Sequence, residues 1–512
     1  MKIQPLIIIF VAFISASVGS RILFLFPTPS KSHMIIAHSL SRTLAEKGHD
    51  VTVVTPFPLN KSIKNHREIV IPYNKRAKEV MDKIMETKPK SFVEMVSLMM
   101  EVNFIEGEEM IASEKFQEIT NEKFDLIVMG MNFQNFLLGY GEIFDCPVII
   151  LSVQRHFSGT NFLIGNPIAP NVAPHLTVAK YDMNFVDRVK NFIAYGLDLI
   201  FFAYANYRQK LIYKYKYFSS TNHRSYDDAV KNISLVLVND HFTEGVVRPN
   251  VPGIIEVRGI QVKPTPDKLP DNIQKFLDEA TNGAIFFSLG SNFKTEQVSD
   301  EKIKTILSVF SKIPQRVIMK WDYDIIEDKS DNVMLGKWLP QDDILAHPNV
   351  KVFISHCGLG SVVESRYHGV PILGLPLFAD QMMNAKLAVE EGWAIEMDLK
   401  VLEEKEFHEK IKELVYNEKY ATEAKQFSRL YRDRPLSPRD TAVYWTEYVI
   451  NHRGAKHMQY PAIHQNFWQQ NSLDVIGFLL LCLWIVVKIF KLILNAVKKK
   501  FVKNADSKKK QN

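Results

Sequence analysis

Cysteine is scarce in this chain of 512 residues, which has only Cys146, Cys357 and Cys482. Three cysteines, one of them within an apolar run, do not build the disulfide framework of a small secreted domain. Low-complexity tracts and fixed-period repeats are also missing. The fold must therefore rest on ordinary hydrophobic cores, and the length predicts two domains.

An excess of positive over negative charge is lacking outside the C-terminal end. The formal net charge is +6, yet the segment after Val487 holds nine lysines and one aspartate. Its net charge of +8 leaves −2 for residues 1–487. A chain with this distribution has no basic surface for nucleic acid, so we expect no nucleic-acid partner.

Long apolar runs occur near the two ends. At the N-terminus, Lys2 precedes an apolar run from Leu6 to Val18, and small residues follow. This pattern is typical of a cleaved secretory signal, which we predict over residues 1–20. A permanent N-terminal membrane anchor is the alternative.

At the C-terminus, Val475–Val487 is uninterrupted apolar sequence. Lys488 and Lys491 interrupt the stretch that follows, but lysines near a helix end can extend their amines to the membrane surface. We therefore predict a transmembrane helix over residues 473–497 and a lysine-rich tail over residues 498–512. A helix lying on the membrane surface is the alternative.

Both ends predict one topology. Positive flanks stay in the cytosol, so the chain would be a single-pass type I membrane protein with its globular part in the lumen. Lys509 and Lys510 resemble the dilysine retrieval signal of endoplasmic-reticulum membrane proteins, which predicts residence in that membrane. Sequons at Asn60 and Asn232 permit glycosylation in the lumen.

The N-terminal half begins as a βαβ unit. Arg21–Phe26 and Asp50–Thr55 have strand character, and the segment between them has helical spacing and ends at Gly48. Phe124–Met129 and Pro147–Ser152 predict two further strands. This alternation indicates a doubly wound parallel sheet in a domain over residues 21–247.

A second α/β series follows a proline-bearing segment, residues 248–270, which we interpret as a linker. Strands are predicted at Ala284–Leu289, Val317–Lys320, Val350–Ser355 and Val370–Leu375. The second domain would cover residues 271–460. The predicted fold class is α/β, with two Rossmann-like doubly wound domains that face each other across a cleft.

Two segments of the first half are rich in adaptable apolar side chains. Met95, Met99, Met100 and Met110 lie in a helical region, and residues 192–218 are crowded with Tyr and Phe. Such surfaces suit a lipophilic ligand or contact with a membrane. Ordinary core positions of helices explain them equally well.

The segment Val350–Gln381 carries the chemistry of the second half. A strand runs into the glycine-containing loop His356–Ser361, and a helix follows. Free N–H groups and the positive end of the helix dipole make such a loop an anion site, where a diphosphate would bind. Trp338-Leu339-Pro340-Gln341 precedes this loop, and the pair Asp380-Gln381 follows it.

The run from Trp338 to Gln381 closely resembles the signature of the UDP-glycosyltransferase family, which includes the animal UDP-glucuronosyltransferases. The resemblance extends to the loop Phe287–Ser291, to Leu473-Asp474 and to the lysine tail. It implies a GT-B type fold and sugar transfer from a UDP-sugar without a cofactor.

The resemblance also implies a role for each residue of the donor site. Trp338 would stack on uracil, with Gln341 beside that base. The diphosphate would be held by His356, the amide of Gly358 and the hydroxyls of Ser361 and Ser291. Glu364 would accept hydrogen bonds from the ribose, and Asp380 and Gln381 would bind the donor sugar; carboxylates and amides are suited to vicinal diols.

His33 matches the general-base histidine of the family. It follows the first strand, at the start of the first helix, where the positive end of the helix dipole favours a neutral imidazole. It would take the proton of an acceptor hydroxyl as that oxygen displaces UDP with inversion. A helix-capping or merely polar histidine is the alternative.

The chain departs from the family at two positions. Many members place an aspartate, which orients the base, where this chain has Gly130. Asp125 lies at the strand start, and Asn132 would offer only a neutral hydrogen bond. Gly360 stands where relatives often have asparagine, although the backbone amides remain.

The sequence therefore predicts a detoxifying or lipophile-modifying enzyme that uses UDP-glucuronic acid or UDP-glucose. Its expected partners are the UDP-sugar, a small lipophilic acceptor and membrane lipid; a homo-oligomer stays open. We expect no metal, because His347 and His356 lack a carboxylate or cysteine pattern beside them. The alternative is a nucleotide-sugar-binding protein of the same fold that has lost turnover.

Overall fold

The structure is a computed structural model. It describes residues 19–59, 61–87, 92–131, 133–175, 177–178, 182–218, 223–290, 298–322, 329–377 and 380–509. The chain divides into a unit that ends at Gln459 and a unit that starts at Tyr460. Most of the predicted signal, the sequon residue Asn60, Asn132, Ser291 and the last three residues lie outside the described residues.

The first unit contains two sheets in which every paired strand is parallel. The first sheet has the order β3-β2-β1-β4-β5-β6-β7 and the second the order β10-β9-β8-β11-β12-β13. The strands of the first sheet are β1 (Arg21–Leu25), β2 (Asp50–Thr55), β3 (His66–Val70), β4 (Leu126–Gly130), β5 (Val148–Ser152), β6 (Ile233–Val238) and β7 (Ile254–Glu256). Those of the second are β8 (Ala284–Ser288), β9 (Arg316–Lys320), β10 (Val333–Gly336), β11 (Val350–Ser355), β12 (Ile372–Gly374) and β13 (Ala394–Glu396).

Helices connect these strands. In the first half they are α1 (Lys31–Glu46), α2 (Lys75–Thr87), α3 (Phe92–Ala112), α4 (Glu114–Ile119), α5 (Tyr140–Ile143), α6 (Ser158–Ile164), α7 (Phe185–Ile212) and α8 (Tyr226–Lys231). In the second half they are α9 (Asp271–Asp278), α10 (Asp300–Lys312), α11 (Gln341–Leu345), α12 (Leu359–His368), α13 (Gln381–Glu390), α14 (Glu404–Tyr416), α15 (Glu418–Arg432), α16 (Pro438–Asn451), α17 (Phe467–Gln470) and α18 (Leu473–Lys509).

The two strand orders confirm the predicted Rossmann-like sheets. In each sheet the order reverses at one point, between β1 and β4 in the first and between β8 and β11 in the second. Ligands of doubly wound sheets bind beyond the carboxyl ends of the strands at this switch point. His33 follows β1, and the glycine-containing loop follows β11, so both candidate sites lie where this topology places ligands.

Cores cover both faces of each sheet. The central strands β4, β5, β6 and β8 are buried along their whole length, as expected for parallel strands between helical layers. Their side chains alternate between two hydrophobic clusters in each sheet. Such strands hold the loops at their ends in fixed positions.

The segment 248–270 is more than a connection. It contains β7, which forms the edge of the first sheet because Ile254 and Ile255 are apolar and pack into that core. The interpretation of the whole segment as a linker is therefore wrong over residues 254–256. Helix α16 likewise packs against α1, and its Ala442 and Val443 join the core of the first sheet. The remaining domain boundaries stay predictions.

The second unit consists mainly of helix α18. Within the described residues, one helix is long and apolar enough to cross a membrane, Leu473–Lys500, with a mean hydropathy of 2.5 in its most apolar window. By length and composition it agrees with the predicted span over residues 473–497.

Candidate active site

The glycine-containing loop turns sharply between β11 and α12. Cys357 has a φ of 59°, in the left-handed region that side chains rarely adopt. Its N–H donates to Ser355 Oγ at 3.1 Å, and Gly358 then caps α12 without a side-chain hydrogen bond. The first N–H groups of α12 therefore have no side-chain cap and can serve an anion.

The ring of His356 lies against two glycines. A Cβ atom at Gly290 would stand 2.5 Å from His356 Nε2, and one at Gly358 would stand 2.4 Å from the same atom. Gly290 also has a φ of +88°. Burial, aided by the nearby charge of Lys320, lowers the pKa of His356 to about 4, so the ring is neutral at physiological pH. Glycine is required here because the imidazole occupies the space.

A ring and a cation lie beside this loop. Trp338 is 66% exposed, which leaves its indole face open for stacking. Lys320 Nζ lies 5.8 Å from the centre of that ring and donates to the carbonyl of Gly290. Burial lowers the pKa of Lys320. Lys320 is the last residue of β9, and no sequence motif marks it as part of the site.

Helices α11 and α12 are joined by one amide group. Gln341 Nε2 donates to Glu364 Oε2 at 2.6 Å and to Ser361 Oγ at 3.1 Å. Burial, with Asp342 nearby, raises the pKa of Glu364 to about 8, although the hydrogen bond from Gln341 acts in the opposite direction. Three of the predicted donor-site side chains thus form one hydrogen-bonded group.

Asp380 and Gln381 lie at the start of α13. Gln381 Oε1 accepts from the N–H of Leu377 at 2.8 Å. Asn384 Nδ2 donates to Asp380 Oδ2 at 2.8 Å and to the carbonyl of Cys357 at 3.1 Å, which ties the carboxylate to the glycine-containing loop. Asp380 is exposed on the cleft side, yet the surrounding protein desolvates its carboxyl group and raises its pKa. Asn384 was not predicted; it lies four residues after Asp380, on the same helix face.

His33 stands in the first turn of α1. Ser30 caps this helix without a side-chain hydrogen bond. Burial lowers the pKa of His33 to about 4, so its imidazole is neutral. A neutral ring in this position has the protonation state that a general base needs.

The hydrogen-bond partner of His33 is a threonine. Thr28 Oγ1 lies 3.1 Å from His33 Nδ1 and also accepts from the N–H of Ser30 at 3.3 Å. Asp125 instead accepts from the N–H of Arg21 at 2.7 Å, at the start of β1. Thr28 was missed because nothing in the sequence marks one hydroxyl before the helix. It orients the imidazole but supplies no charge to stabilise an imidazolium.

One cavity of about 1280 Å³ collects these residues. It is lined by His33 from the first half and, from the second half, by Trp338, Gln341, His356, Gly358, Ser361, Glu364, Asp380 and Gln381. The structure thus brings together every predicted site residue that it describes; Ser291 lies outside the described residues. Their individual roles stay predictions.

Comparison with known proteins identifies the family. A family model described as "UDP-glucoronosyl and UDP-glucosyl transferase" matches residues 22–511. The chain belongs to this family. Two relatives from Dactylopius coccus, UDP-glycosyltransferase UGT5 and UDP-glucosyltransferase 2, are each 37% identical; the matches cover 93% and 94% of this chain, and 92% and 94% of the relatives. UDP-glucuronosyltransferase 2B1 of Rattus norvegicus is 29% identical over 88% of each chain.

Solved structures support the fold. A UDP-glucosyltransferase from Polygonum tinctorium capable of glucosylating indoxyl has a TM-score of 0.57 at 15% identity, covering 85% of this chain and 99% of that one. Spinosyn forosaminyltransferase SpnP has a TM-score of 0.55 at 16% identity, covering 85% and 100%. Both have the two-domain GT-B architecture, which confirms the fold class. The protein is therefore a glycosyltransferase that takes its sugar from a UDP-sugar.

The methionines and aromatic residues of this glycosyltransferase divide into three groups. Met100 and Met110 are core residues of α3. Met95 and Met99 line the cavity, as do Phe201, Phe202 and other aromatic side chains from α6 and α7. A stripe along α7 faces outward instead, and Phe192 is 68% exposed. Neither sequence-based interpretation holds for the whole set.

A charge cluster around the buried Glu244 joins the two halves of the enzyme, and one of its members, Arg155, lines the cavity. Glu244 lies 2.6 Å from Arg155 Nη2, 2.6 Å from Arg258 Nη2 and 3.7 Å from Arg366 Nε. Arg366 belongs to α12, whereas the other three follow β5, β6 and β7. Burial alone would raise the pKa of Glu244, but Arg258, Arg366 and Arg155 outweigh it and hold the pKa at about 2. This cluster connects α12 to the first sheet.

Proposed function

We propose that this protein is a membrane-bound, inverting glycosyltransferase that moves glucose or glucuronic acid from a UDP-sugar to a hydroxyl of a small lipophilic acceptor. The observation that carries the proposal is the position of His33. It lines the same cavity as the glycine-containing loop but comes from the other sheet. A base and a donor site on opposite walls leave room for an acceptor between them.

The donor would lie along the second sheet. Uracil would stack on Trp338 with Gln341 beside it, and Glu364, which accepts a hydrogen bond from Gln341, would bind the ribose. The N-terminus of α12, Ser361 and His356 would hold the diphosphate, and Lys320 would add a positive charge beside it. Asp380 and Gln381 would bind the hydroxyls of the sugar. Asn384 supports this assignment because it fixes the carboxylate of Asp380.

The transfer would proceed in one displacement. His33 Nδ1–H would donate to Thr28 Oγ1, which leaves a lone pair on Nε2 to take the proton of the acceptor hydroxyl. The acceptor oxygen would attack the anomeric carbon as the bond to the diphosphate oxygen breaks, and UDP would leave with that electron pair. The sugar configuration would be inverted, and the imidazolium would return its proton to solvent.

The acceptor wall is apolar and flexible. Met95, Met99, Phe201 and Phe202 line the part of the cavity that belongs to the first half. Methionine side chains adapt to different shapes, and aromatic rings bury large apolar areas. These properties support a lipophilic acceptor, such as a phenol or an aliphatic alcohol, and a role in detoxification or lipophile metabolism.

The membrane assignment rests on the C-terminal helix and on α7. Leu197 and Ile200 belong to the outward stripe of α7 and are 62% and 69% exposed. An apolar stripe of this length on a 28-residue helix is suited to a lipid surface. We propose a type I protein of the endoplasmic-reticulum membrane whose globular part is lumenal.

A donor panel tests the proposal. The purified full chain would be incubated with radiolabelled UDP-glucose, UDP-glucuronic acid and UDP-galactose and a phenolic acceptor. We expect glycoside from glucose or glucuronic acid, and we would test glucose first because a relative is named a UDP-glucosyltransferase. Preference for UDP-galactose or for a non-uridine donor would contradict the roles of Trp338 and Asp380.

One observation favours the alternative of a binding protein without turnover. His33 is hydrogen-bonded to the neutral hydroxyl of Thr28, and Gly130 provides no carboxylate for it. Binding of UDP-sugars without product from any donor in the panel would establish that alternative. Product formation from any one of them would exclude it.

A further inference from the structure

Three potential metal ligands lie close together at α1, the helix that carries His33. His38 belongs to α1, and His66 and Glu68 belong to β3, the edge strand of the first sheet. One ligand atom from each residue lies within 4.8 Å of the other two. Two imidazoles and a carboxylate are a ligand set that proteins use for zinc and related ions.

His38 is oriented as a metal ligand is. Its Nε2 lies 2.9 Å from the carbonyl of Phe57, which can only accept, so Nε2 carries the proton. Nδ1 therefore has a free lone pair; it is buried without a hydrogen-bond partner among the described residues, and the residue is only 6% exposed. An unused, buried lone pair on a ring fixed from its other nitrogen is the usual arrangement of a ligating histidine.

The other two residues are also held in place. Both carboxylate oxygens of Glu68 accept from the N–H of Leu59 at 3.1 Å. Ser41 Oγ lies 3.0 Å from His66 Nε2.

An ion pair between His38 and Glu68 does not explain the cluster. The distance from His38 Nδ1 to Glu68 Oε1 is 3.8 Å, too long for a hydrogen bond. Because the hydrogen bond to Phe57 places the ring proton on Nε2, a lone pair on Nδ1 faces a carboxylate oxygen of Glu68. This arrangement is unfavourable unless a cation lies between the two groups.

We propose that His38, His66 and Glu68 bind one divalent transition-metal ion of the zinc class. A solvent molecule would complete a tetrahedral shell. The ion takes no part in sugar transfer and instead fixes α1, which carries His33, to β3. This site is independent of the proposed function, because it rests on none of the residues assigned to donor, acceptor or base.

Metal titration of the full chain tests the site. The protein would be purified in detergent through a tag without histidine, treated with a chelator, and titrated with Co²⁺ and then Zn²⁺. We expect one equivalent of Co²⁺ to give a visible ligand-field spectrum, Zn²⁺ to displace it, and Zn²⁺ to raise the melting temperature. Ca²⁺ and Mg²⁺ should not compete, because they prefer oxygen ligands.

Variants locate the ion. His66→Asn and Glu68→Gln should each weaken Zn²⁺ binding by more than about 100-fold, since loss of a ligand exceeds the 10–100-fold cost of losing an outer partner. His408→Ala, in α14, is the matched control and should bind as the parent does. Absence of binding by the parent, or equal binding by His66→Asn and His408→Ala, would overturn the proposal.

Arg42 provides a test that leaves all three ligands in place. Arg42 lies one helix turn after His38 on α1, so its positive charge opposes a cation bound by His38. Arg42→Met should tighten Zn²⁺ binding by about tenfold, because it removes a like charge from the neighbourhood of the ion. Unchanged or weaker binding by Arg42→Met would count against the site even if the ligand variants failed to fold.

Discussion

The environment of His33 makes it a weak base that stays in its neutral form at physiological pH. Burial lowers its pKa from 6.5 to about 4. His33→Ala should therefore lower kcat on an aliphatic alcohol by about 10²–10⁴-fold, with little change in UDP binding. The loss should be smaller on acidic phenols, which ionise with less help. Turnover under saturating donor is the measurement.

The pH profile checks the same assignment. A base acts in its neutral form, so kcat/KM of the parent should persist below pH 6.5 and fall only as the pH approaches about 4. Activity of His33→Ala within about threefold of the parent would remove His33 from the mechanism, because general-base catalysis contributes far more.

Thr28 would position His33, the proposed base, through one hydrogen bond of 3.1 Å. Thr28→Val keeps the shape but removes the hydroxyl, so it should lower kcat by about tenfold, the value of one hydrogen bond. KM for the donor should not change. Thr28→Ser should restore kcat, and equal activity of the Val and Ser variants would mean that another group orients His33.

Two glycines of the glycine-containing loop, Gly358 and Gly360, provide a matched pair of test variants. A Cβ atom at Gly358 would stand 2.4 Å from His356 Nε2, whereas one at Gly360 would meet nothing within 4 Å. Gly358→Ala should displace the imidazole and raise KM for the UDP-sugar by about 10–100-fold. Gly360→Ala should leave KM unchanged. Similar KM values for the two variants would show that His356 does not shape the donor site.

At the scale of elements, the cluster around Glu244 couples α12 to the ends of β5, β6 and β7. Glu244→Gln would leave three arginines, two of them fully buried, without their shared anion. We expect it to lower the free energy of unfolding by about 3–5 kcal/mol, as removal of one partner of a buried pair does. Thermal denaturation of the purified protein measures this loss.

An exposed pair provides the control for that change. Glu101 lies 3.3 Å from Arg76, and both side chains are open to solvent. Glu101→Gln should alter the free energy of unfolding by less than about 1 kcal/mol, because surface ion pairs contribute little. Equal losses in the two variants would contradict a special role for Glu244.

At the scale of the whole molecule, the charge distribution and α18 predict one orientation. Protease added to sealed microsomes should remove only the lysine-rich tail, which reduces the mass slightly. The globular part should become sensitive once detergent opens the vesicles. Its digestion without detergent would place it in the cytosol and overturn the lumenal assignment.

The sequence by itself determined the architecture and which residues of the second half would line the cavity. Strands β2 and β11 have the predicted bounds, because each has five buried residues, mostly β-branched or apolar, within a parallel sheet. The donor residues could be recognised because they lie close together along the chain, from Trp338 to Gln381. Local patterns of this kind can be recognised in a single sequence before any tertiary contact is known.

Only the tertiary structure decided which distant residues meet. Strand β3 was missed because its polar residues lie at a sheet edge, and β7 was missed because three residues give no periodicity. Three features depend on how separate elements pack: the contact of Thr28 with His33, the cluster around Glu244, and the cluster of His38, His66 and Glu68. Such contacts form when the sheets pack, so no spacing along the chain could reveal them.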